Sequence, residues 1–122
     1  MNSAVLVMSG GAYAESPSIR IGAPLPLTGP LSPEGTKLKQ GYELWLQEVN
    51  GAGGISVGAD KRRVELVYYD YESNTPKAVQ LAEKLVNDDK VDFLFAPFGS
   101  GSTSAASSVA EKYGIPMIAS TA

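Results

Sequence analysis

The chain has 122 residues, of which 43% are hydrophobic and 19% are charged, a composition typical of a globular domain with a modest core. Its formal net charge is −3 and its longest basic run is Lys61-Arg62-Arg63, which argues against nucleic acid as a partner. Cysteine and histidine are both absent, which excludes disulfides, Ser/His/Asp or Cys/His catalysis, and the usual zinc ligands. These absences leave few groups for catalysis, so we expect no enzyme and no cofactor.

The N-terminus has two features of a secretory signal peptide. The short apolar run 4–8 is followed by Ala12-Tyr13-Ala14, which fits the small-residue pattern of a cleavage site. The positively charged start of such peptides is missing, because no Lys or Arg precedes Arg20. We predict export to the periplasm, with residues 1–14 as a signal-peptide remnant cleaved after Ala14. An irregular N-terminus is the alternative.

The remaining chain alternates between strands and helices. A capping residue followed by proline predicts helix starts at Ser32-Pro33 and Thr75-Pro76, and a third helix follows the glycine-rich segment 99–103. Asn50-Gly51 and Gly114 are expected helix ends. Strands are predicted at 19–23, 63–70, 91–96 and 115–119.

This order predicts an α/β fold, an open, Rossmann-like parallel sheet with helices on both faces. Within the second strand, apolar residues on both sides suggest that both faces are covered. The first helix carries an apolar stripe that places Trp45 in the core, and the glycine-rich segment 53–58 is expected to be a loop. The sequence stops directly after the last predicted strand, so we expect an incomplete domain.

Ligands of open parallel sheets bind beyond the carboxyl ends of the strands, where the strand order reverses. The loops that qualify are 24–33, 96–103 and 120–122. In the second, glycines allow close backbone approach, the next helix offers unpaired N–H groups, and Ser100, Ser102 and Thr103 add hydroxyl donors. Such a loop suits a carboxylate or a phosphate.

The same loop has simpler interpretations. Glycine and serine are common before helices as turn and cap residues. The loop lacks the lysine of a P-loop, Ser104 stands where a dinucleotide-binding loop has its third glycine, and no histidine could activate Ser100. Phe98, an aromatic residue in this loop, is as consistent with lining a pocket as with packing.

Five segments resemble the branched-chain amino-acid-binding (Leu/Ile/Val-binding) proteins, which are type I periplasmic binding proteins of ABC importers. The first, 21–30, resembles their first strand and loop. The second, 41–50 followed by the glycines and isoleucine of 53–55, resembles their first helix and its exit. The other matching segments, in the same order and with similar spacing, are 69–78, 98–103 and 114–118.

The resemblance implies half of a two-lobed clamp, with residues 15–122 forming part of the N-terminal lobe. The ligand would be an amino acid or an aromatic acid, and the partner a membrane ABC permease. In the first loop, Pro33 and Glu34 replace an aromatic contact of some relatives, which leaves ligand specificity open. The ligand-binding residues implied are Ser100 for the carboxylate, backbone groups of Phe98 and Gly99, Thr121 and Ala122 after the fourth strand, and Glu34.

Three other functions stay open at this point. The same lobe resembles ligand-sensing modules of receptors and transcriptional regulators. A flavodoxin-type or Rossmann-type enzyme would need a better glycine loop. The chain could also be a truncated fragment with no function of its own.

Overall fold

The computed structural model describes residues 18–118 together with the backbone of Ala4–Val7. Within residues 18–118 no helix has the length and apolar character needed to span a bilayer. The strands are β1 Ala4–Val7, β2 Ile19–Leu25, β3 Ile55–Val57, β4 Asp60–Arg62, β5 Val64–Asp70, β6 Phe93–Phe95 and β7 Met117–Ile118. The helices are α1 Ser32–Gly51, α2 Thr75–Asn87 and α3 Ser100–Tyr113.

The main sheet has the strand order β1-β5-β2-β6-β7. Strands β5, β2, β6 and β7 run parallel to one another, which confirms the predicted open parallel sheet. Strand β2 is longer than predicted, because Pro24 and Leu25 continue the pairing with β5 opposite Tyr69 and Asp70. Strand β6 is shorter than predicted. Of the predicted fourth strand, Met117–Ile118 is observed and position 119 lies outside the described residues.

Strand β1 is an edge strand that the sequence analysis did not predict. It pairs antiparallel with β5, from Ala4 opposite Tyr68 to Val7 opposite Glu65. It falls within the predicted signal-peptide remnant. The predicted cleavage site after Ala14 lies outside the described residues, so the division at that position stays a prediction.

The two faces of the sheet carry separate clusters of buried side chains. Helix α1 packs on one face, where Tyr42 and Leu46 contact Leu66 and its neighbours in β2 and β5. Helices α2 and α3 pack on the other face against Val67 and Tyr69. Successive strand residues point to opposite faces, so Leu66 and Val67 confirm that β5 is covered on both sides.

The residues that cap α1 and α2 lie one position before those predicted. The carbonyl oxygens of Leu31 and Asn74 accept the first helical hydrogen bonds, at 2.9 Å and 3.0 Å, so Ser32 and Thr75 are already helical. Asn74 also caps α2 with its side chain, which accepts from the Lys77 N–H at 3.1 Å. The prolines therefore occupy the second helical position, where a missing N–H costs no helical hydrogen bond.

The connection after α1 contains a hairpin where a loop was predicted. Strands β3 and β4 pair antiparallel between Ile55–Val57 and Asp60–Arg62. Helix α1 ends at Gly51, but the left-handed glycine after it is Gly53, with φ of 99°. Close backbone packing explains Gly54, since a Cβ there would lie 2.0 Å from the Arg62 carbonyl oxygen.

Trp45 is not in the core, so that prediction was wrong. It is 36% exposed and, with Tyr42, Phe95 and Ile118, lines an apolar groove of about 320 Å³ on the α1 face of the sheet. Tyr42 and Phe95 stack with ring centroids 4.2 Å apart, and Trp45 meets the same Phe95 ring edge-on. Tyr42 and Trp45 of α1 cover Phe95 in β6, whereas Ile118 in β7 is 43% exposed, so the groove is open at its β7 end.

Candidate ligand-binding site

The strand order reverses between β2 and β6. From β2 the chain passes to β5 on one side, and then crosses to β6 on the other side. The β2–α1 loop (residues 26–31) and the β6–α3 loop (residues 96–99) therefore leave the sheet at the same edge, on neighbouring parallel strands. This is the switch point at which doubly wound sheets bind their ligands.

The N-terminus of α3 has the features of a helix start that can bind an anion. Its cap residue is Gly99, with φ of 92° and ψ of 150°, and it has no side-chain cap and no acidic residue in the first turn. A Cβ added at Gly99 would meet no atom within 4 Å, so a ligand has room to approach the backbone. The first N–H groups of a helix lack helical partners and carry partial positive charge, and they attract carboxylates and phosphates.

The structure places the predicted site residues in three groups. Phe98 and Gly99 are half-buried and Ser100 is exposed, and all three are contiguous at the start of α3. Glu34 is half-buried in the first turn of α1, after the loop on the other side of the switch point. Thr121 and Ala122 lie outside the described residues, so their role stays a prediction.

Ser102 and Thr103 are not free ligand donors, contrary to the sequence prediction. Ser102 is 7% exposed, and its hydroxyl oxygen lies 3.0 Å from that of Thr75 in a hydrogen bond. The Thr103 hydroxyl donates to the Pro97 carbonyl oxygen at 2.8 Å. Ser100, the remaining hydroxyl residue of the predicted site, is exposed. Both inward hydroxyls therefore hold the loop, and Ser100 is left as the hydroxyl that a ligand can reach.

Tyr71 supports the β6–α3 loop from beneath, a role that sequence reasoning missed. Its ring is buried, and its hydroxyl donates to the Phe98 carbonyl oxygen at 3.2 Å. Burial raises the pKa of the Tyr71 phenol above its ordinary value, because the charged phenolate would lose hydration there. The phenol therefore stays protonated and remains a donor at neutral pH.

Asp70 organises the opposite loop, between β2 and α1. One carboxylate oxygen accepts from the N–H groups of Leu27, Thr28 and Glu72 at 2.9, 3.2 and 2.8 Å. The other accepts from the Thr28 hydroxyl at 2.7 Å. Aspartate often stabilises a turn by accepting a hydrogen bond from the N–H two residues later. An aspartate at the end of a strand was therefore the available clue in the sequence.

The pKa of Asp70 makes this loop sensitive to acid. Burial alone would raise the pKa, but the hydrogen bonds from Thr28, Glu72 and Leu27 outweigh burial and lower it. A carboxyl whose folded pKa lies below its unfolded value stabilises the fold above the unfolded pKa. That stabilisation is lost as the pH falls through the folded pKa.

We expect the Asp70→Asn variant to be less stable than the natural chain near neutral pH, with the difference shrinking below about pH 4. Urea unfolding of both chains from about pH 7 to about pH 3 measures it. Asparagine retains an oxygen for the backbone N–H groups but loses the titrating carboxylate. A stability difference independent of pH would show that the Asp70 charge does not hold the loop.

No cluster that could hold a metal ion appears among the residues described. Residues 18–118 contain no group of three or more metal-ligating side chains. The apolar groove beside Trp45 offers a carboxylate little polar contact and contains none of the predicted site residues. The switch-point crevice is therefore the candidate site.

A doubly wound parallel sheet with a ligand crevice at its switch point defines a class of small-molecule-binding α/β domains. Comparison with known proteins identifies the family within this class. The chain belongs to the periplasmic binding protein family, whose family model matches residues 18–122. Proteins of this family bind solutes and are not enzymes.

Individual relatives agree with this assignment. Leu/Ile/Val-binding protein homolog 7 of Brucella abortus is 32% identical over 112 residues, which are 92% of this chain and 27% of the relative. The branched-chain amino acid transporter substrate-binding protein LivJ from Streptococcus pneumoniae, solved with isoleucine, is 36% identical with a TM-score of 0.78, covering 85% of this chain and 29% of that one. A benzoate-bound solute-binding protein from R. palustris is 34% identical with a TM-score of 0.71, covering 86% and 28%. The chain thus spans less than a third of each relative's length.

Proposed function

We propose that this chain forms part of the extracytoplasmic solute-binding component of an ABC importer and contributes one side of a site for a small carboxylate. The observation that carries the proposal is the uncapped N-terminus of α3, where Gly99 and Ser100 face open space at the switch point. Two solved relatives, 36% and 34% identical to this chain over the aligned residues, hold isoleucine and benzoate, both of which carry a carboxylate.

The binding chemistry needs no cationic side chain. The backbone N–H groups at Gly99 and Ser100 and the Ser100 hydroxyl would donate to the carboxylate oxygens, with the helix dipole adding a partial positive charge. Glu34, after the opposite loop, would face a cationic or hydrogen-bond-donating part of the ligand. Thr121 and Ala122, which follow β7 in the sequence, would complete this side of the site.

We also propose that residues 15–122 belong to the N-terminal lobe of a longer, two-lobed protein that is exported and docks on a membrane permease. The coverage of less than a third of each relative supports this proposal. The intact mass of the protein from its native source tests it. A mass several times the 12.8 kDa of this chain is expected, and a mass at or just below that value would point to a partner chain instead.

One lobe alone should bind weakly, because the ligand stays exposed to water on its other side. We expect dissociation constants on the order of 1 mM or weaker for isoleucine and for benzoate. Calorimetry of residues 15–122 should show no resolved heat, while NMR titration should shift the amide signals of Gly99, Ser100 and Gly101. Micromolar binding would contradict the half-clamp.

Two matched comparisons make the titration specific. Isoleucinamide and benzamide have the shapes of the two probes without the carboxylate, and they should not shift these signals. Ser100→Ala should weaken the carboxylate response about tenfold, whereas Ser104→Ala, one turn later and also exposed, should not change it. Equal responses to acids and amides would refute the proposed site.

A further inference from the structure

The connection between β5 and α2 has an unusual backbone. Glu72 and Ser73 are consecutive non-glycine residues with φ of 58° and 57°. Left-handed conformations are uncommon outside glycine, and two in succession persist only where the surroundings fix them. The hydrogen bonds of the segment Asp70–Ser73 supply that constraint, and they run to both loops of the candidate site.

Ser73 and Asp70 hold the β2–α1 loop. The Ser73 hydroxyl donates to the Thr28 carbonyl oxygen at 2.8 Å and accepts from the Leu31 N–H at 3.0 Å. Gly29, with φ of 86°, lies so close that an added Cβ would be 2.9 Å from the Ser73 hydroxyl oxygen. Together with the bonds from Asp70 to Leu27 and Thr28, these contacts fix the loop from its first residues to the start of α1.

Tyr71 connects this arrangement to the second loop. Its backbone N–H donates to the Leu25 carbonyl oxygen at the end of β2, at 2.9 Å, while its hydroxyl donates to the Phe98 carbonyl oxygen. Strand β5 does not neighbour β6, because β2 lies between them. Tyr71, the first residue after β5, therefore spans the switch point and contacts both of its sides.

We propose that Asp70–Ser73 is a clasp that sets the spacing of the two ligand-facing loops, with Tyr71 as the positioning residue for the N–H groups of Gly99 and Ser100. The clasp touches the loops and not the ligand. Its importance for binding rests on the proposed function, but its effect on loop geometry does not. A carboxylate bound by N–H groups needs them held within a few tenths of an ångström, and the Phe98 carbonyl precedes both.

Tyr71→Phe tests the clasp, with Tyr69→Phe as the matched control. Each variant removes one hydroxyl from a buried tyrosine at the end of β5, but the Tyr69 hydroxyl donates to Asp89, at 2.7 Å, instead of a ligand loop. The reporter is hydrogen exchange of the Thr103 amide, whose N–H donates to the Gly99 carbonyl oxygen and closes the first turn of α3. It is measured without ligand, together with the global stability of each variant.

Tyr71→Phe should lower the protection of the Thr103 amide about fivefold relative to Tyr69→Phe at matched global stability. It should also shift the amide signals of Gly99 and Ser100. Ser73→Ala should lower protection at Leu31 and leave Thr103 unchanged. Equal protection of Thr103 in the two tyrosine variants would overturn the clasp. Because no ligand is present, a failed carboxylate titration leaves this test intact.

Discussion

Replacing Gly35 with alanine is expected to lower the free energy of unfolding by about 3 kcal/mol. Gly35 is buried in the first turns of α1, and an added Cβ would lie 2.0 Å from the Pro26 carbonyl oxygen. The obstacle is backbone, so no rotamer change relieves it. Either α1 or the β2–α1 loop must move, and this loop is one wall of the candidate site.

Gly41→Ala is the matched control for Gly35→Ala on the same helix. Gly41 is exposed and a Cβ there would meet no atom within 4 Å. Alanine should therefore stabilise the protein by about 0.5–1 kcal/mol through its better helix propensity. Urea unfolding of both variants measures the contrast. Similar effects at the two positions would mean that α1 does not pack against Pro26 as described.

Asn50→Leu should lower the free energy of unfolding by roughly 2–4 kcal/mol. Asn50 is 4% exposed near the end of α1, and its amide forms two hydrogen bonds with the backbone of Val64. It donates to the carbonyl oxygen at 2.9 Å and accepts from the N–H at 2.8 Å. The amide thus pairs with both backbone polar groups of Val64, the first residue of β5. Leucine has a similar size but leaves a buried N–H and C=O unpaired.

Asn87→Leu is the corresponding control near the end of α2. The Asn87 side chain is exposed, and its amide donates to Glu83 and Tyr113 at the surface. Its loss should change stability by no more than about 0.5 kcal/mol, because water can replace the partners. Thermal or urea unfolding of both variants measures the difference in stability between them. A small loss of stability in Asn50→Leu would show that the two hydrogen bonds to Val64 contribute little to the fold.

Particular residues show why the sequence predicted the scaffold well. Apolar residues alternate in Val64–Asp70 and recur at helical spacing in the second helix. These two spacings distinguish a strand from a helix, because each follows from local backbone geometry. Gly114 predicted the end of α3, where it adopts φ of 67° as the left-handed cap. The β6–α3 loop was also found from sequence, since glycines and hydroxyls before a helix have local meaning.

The residues that organise the site were harder to recognise. Nothing within a few positions of Asp70 reveals that most of its partners are Leu27 and Thr28, 43 and 42 residues away. Tyr71 fits strand propensity equally well whether its hydroxyl meets water or the Phe98 carbonyl. Ser102 and Thr103 have the same chemistry as Ser100, and only their placement on α3 turns them inward.

The sequence by itself determined the alternation of strands and helices, the exclusion of cysteine and histidine chemistry, and the glycine–serine loop before α3. These properties depend on composition and on contacts between residues close in the chain. The tertiary structure decided the exposure of Trp45, the pairing of β1 with β5, and the clasp from Asp70 to Ser73 across the switch point. Each depends on which distant segments meet, and burial and long-range hydrogen bonding leave little trace in the local pattern.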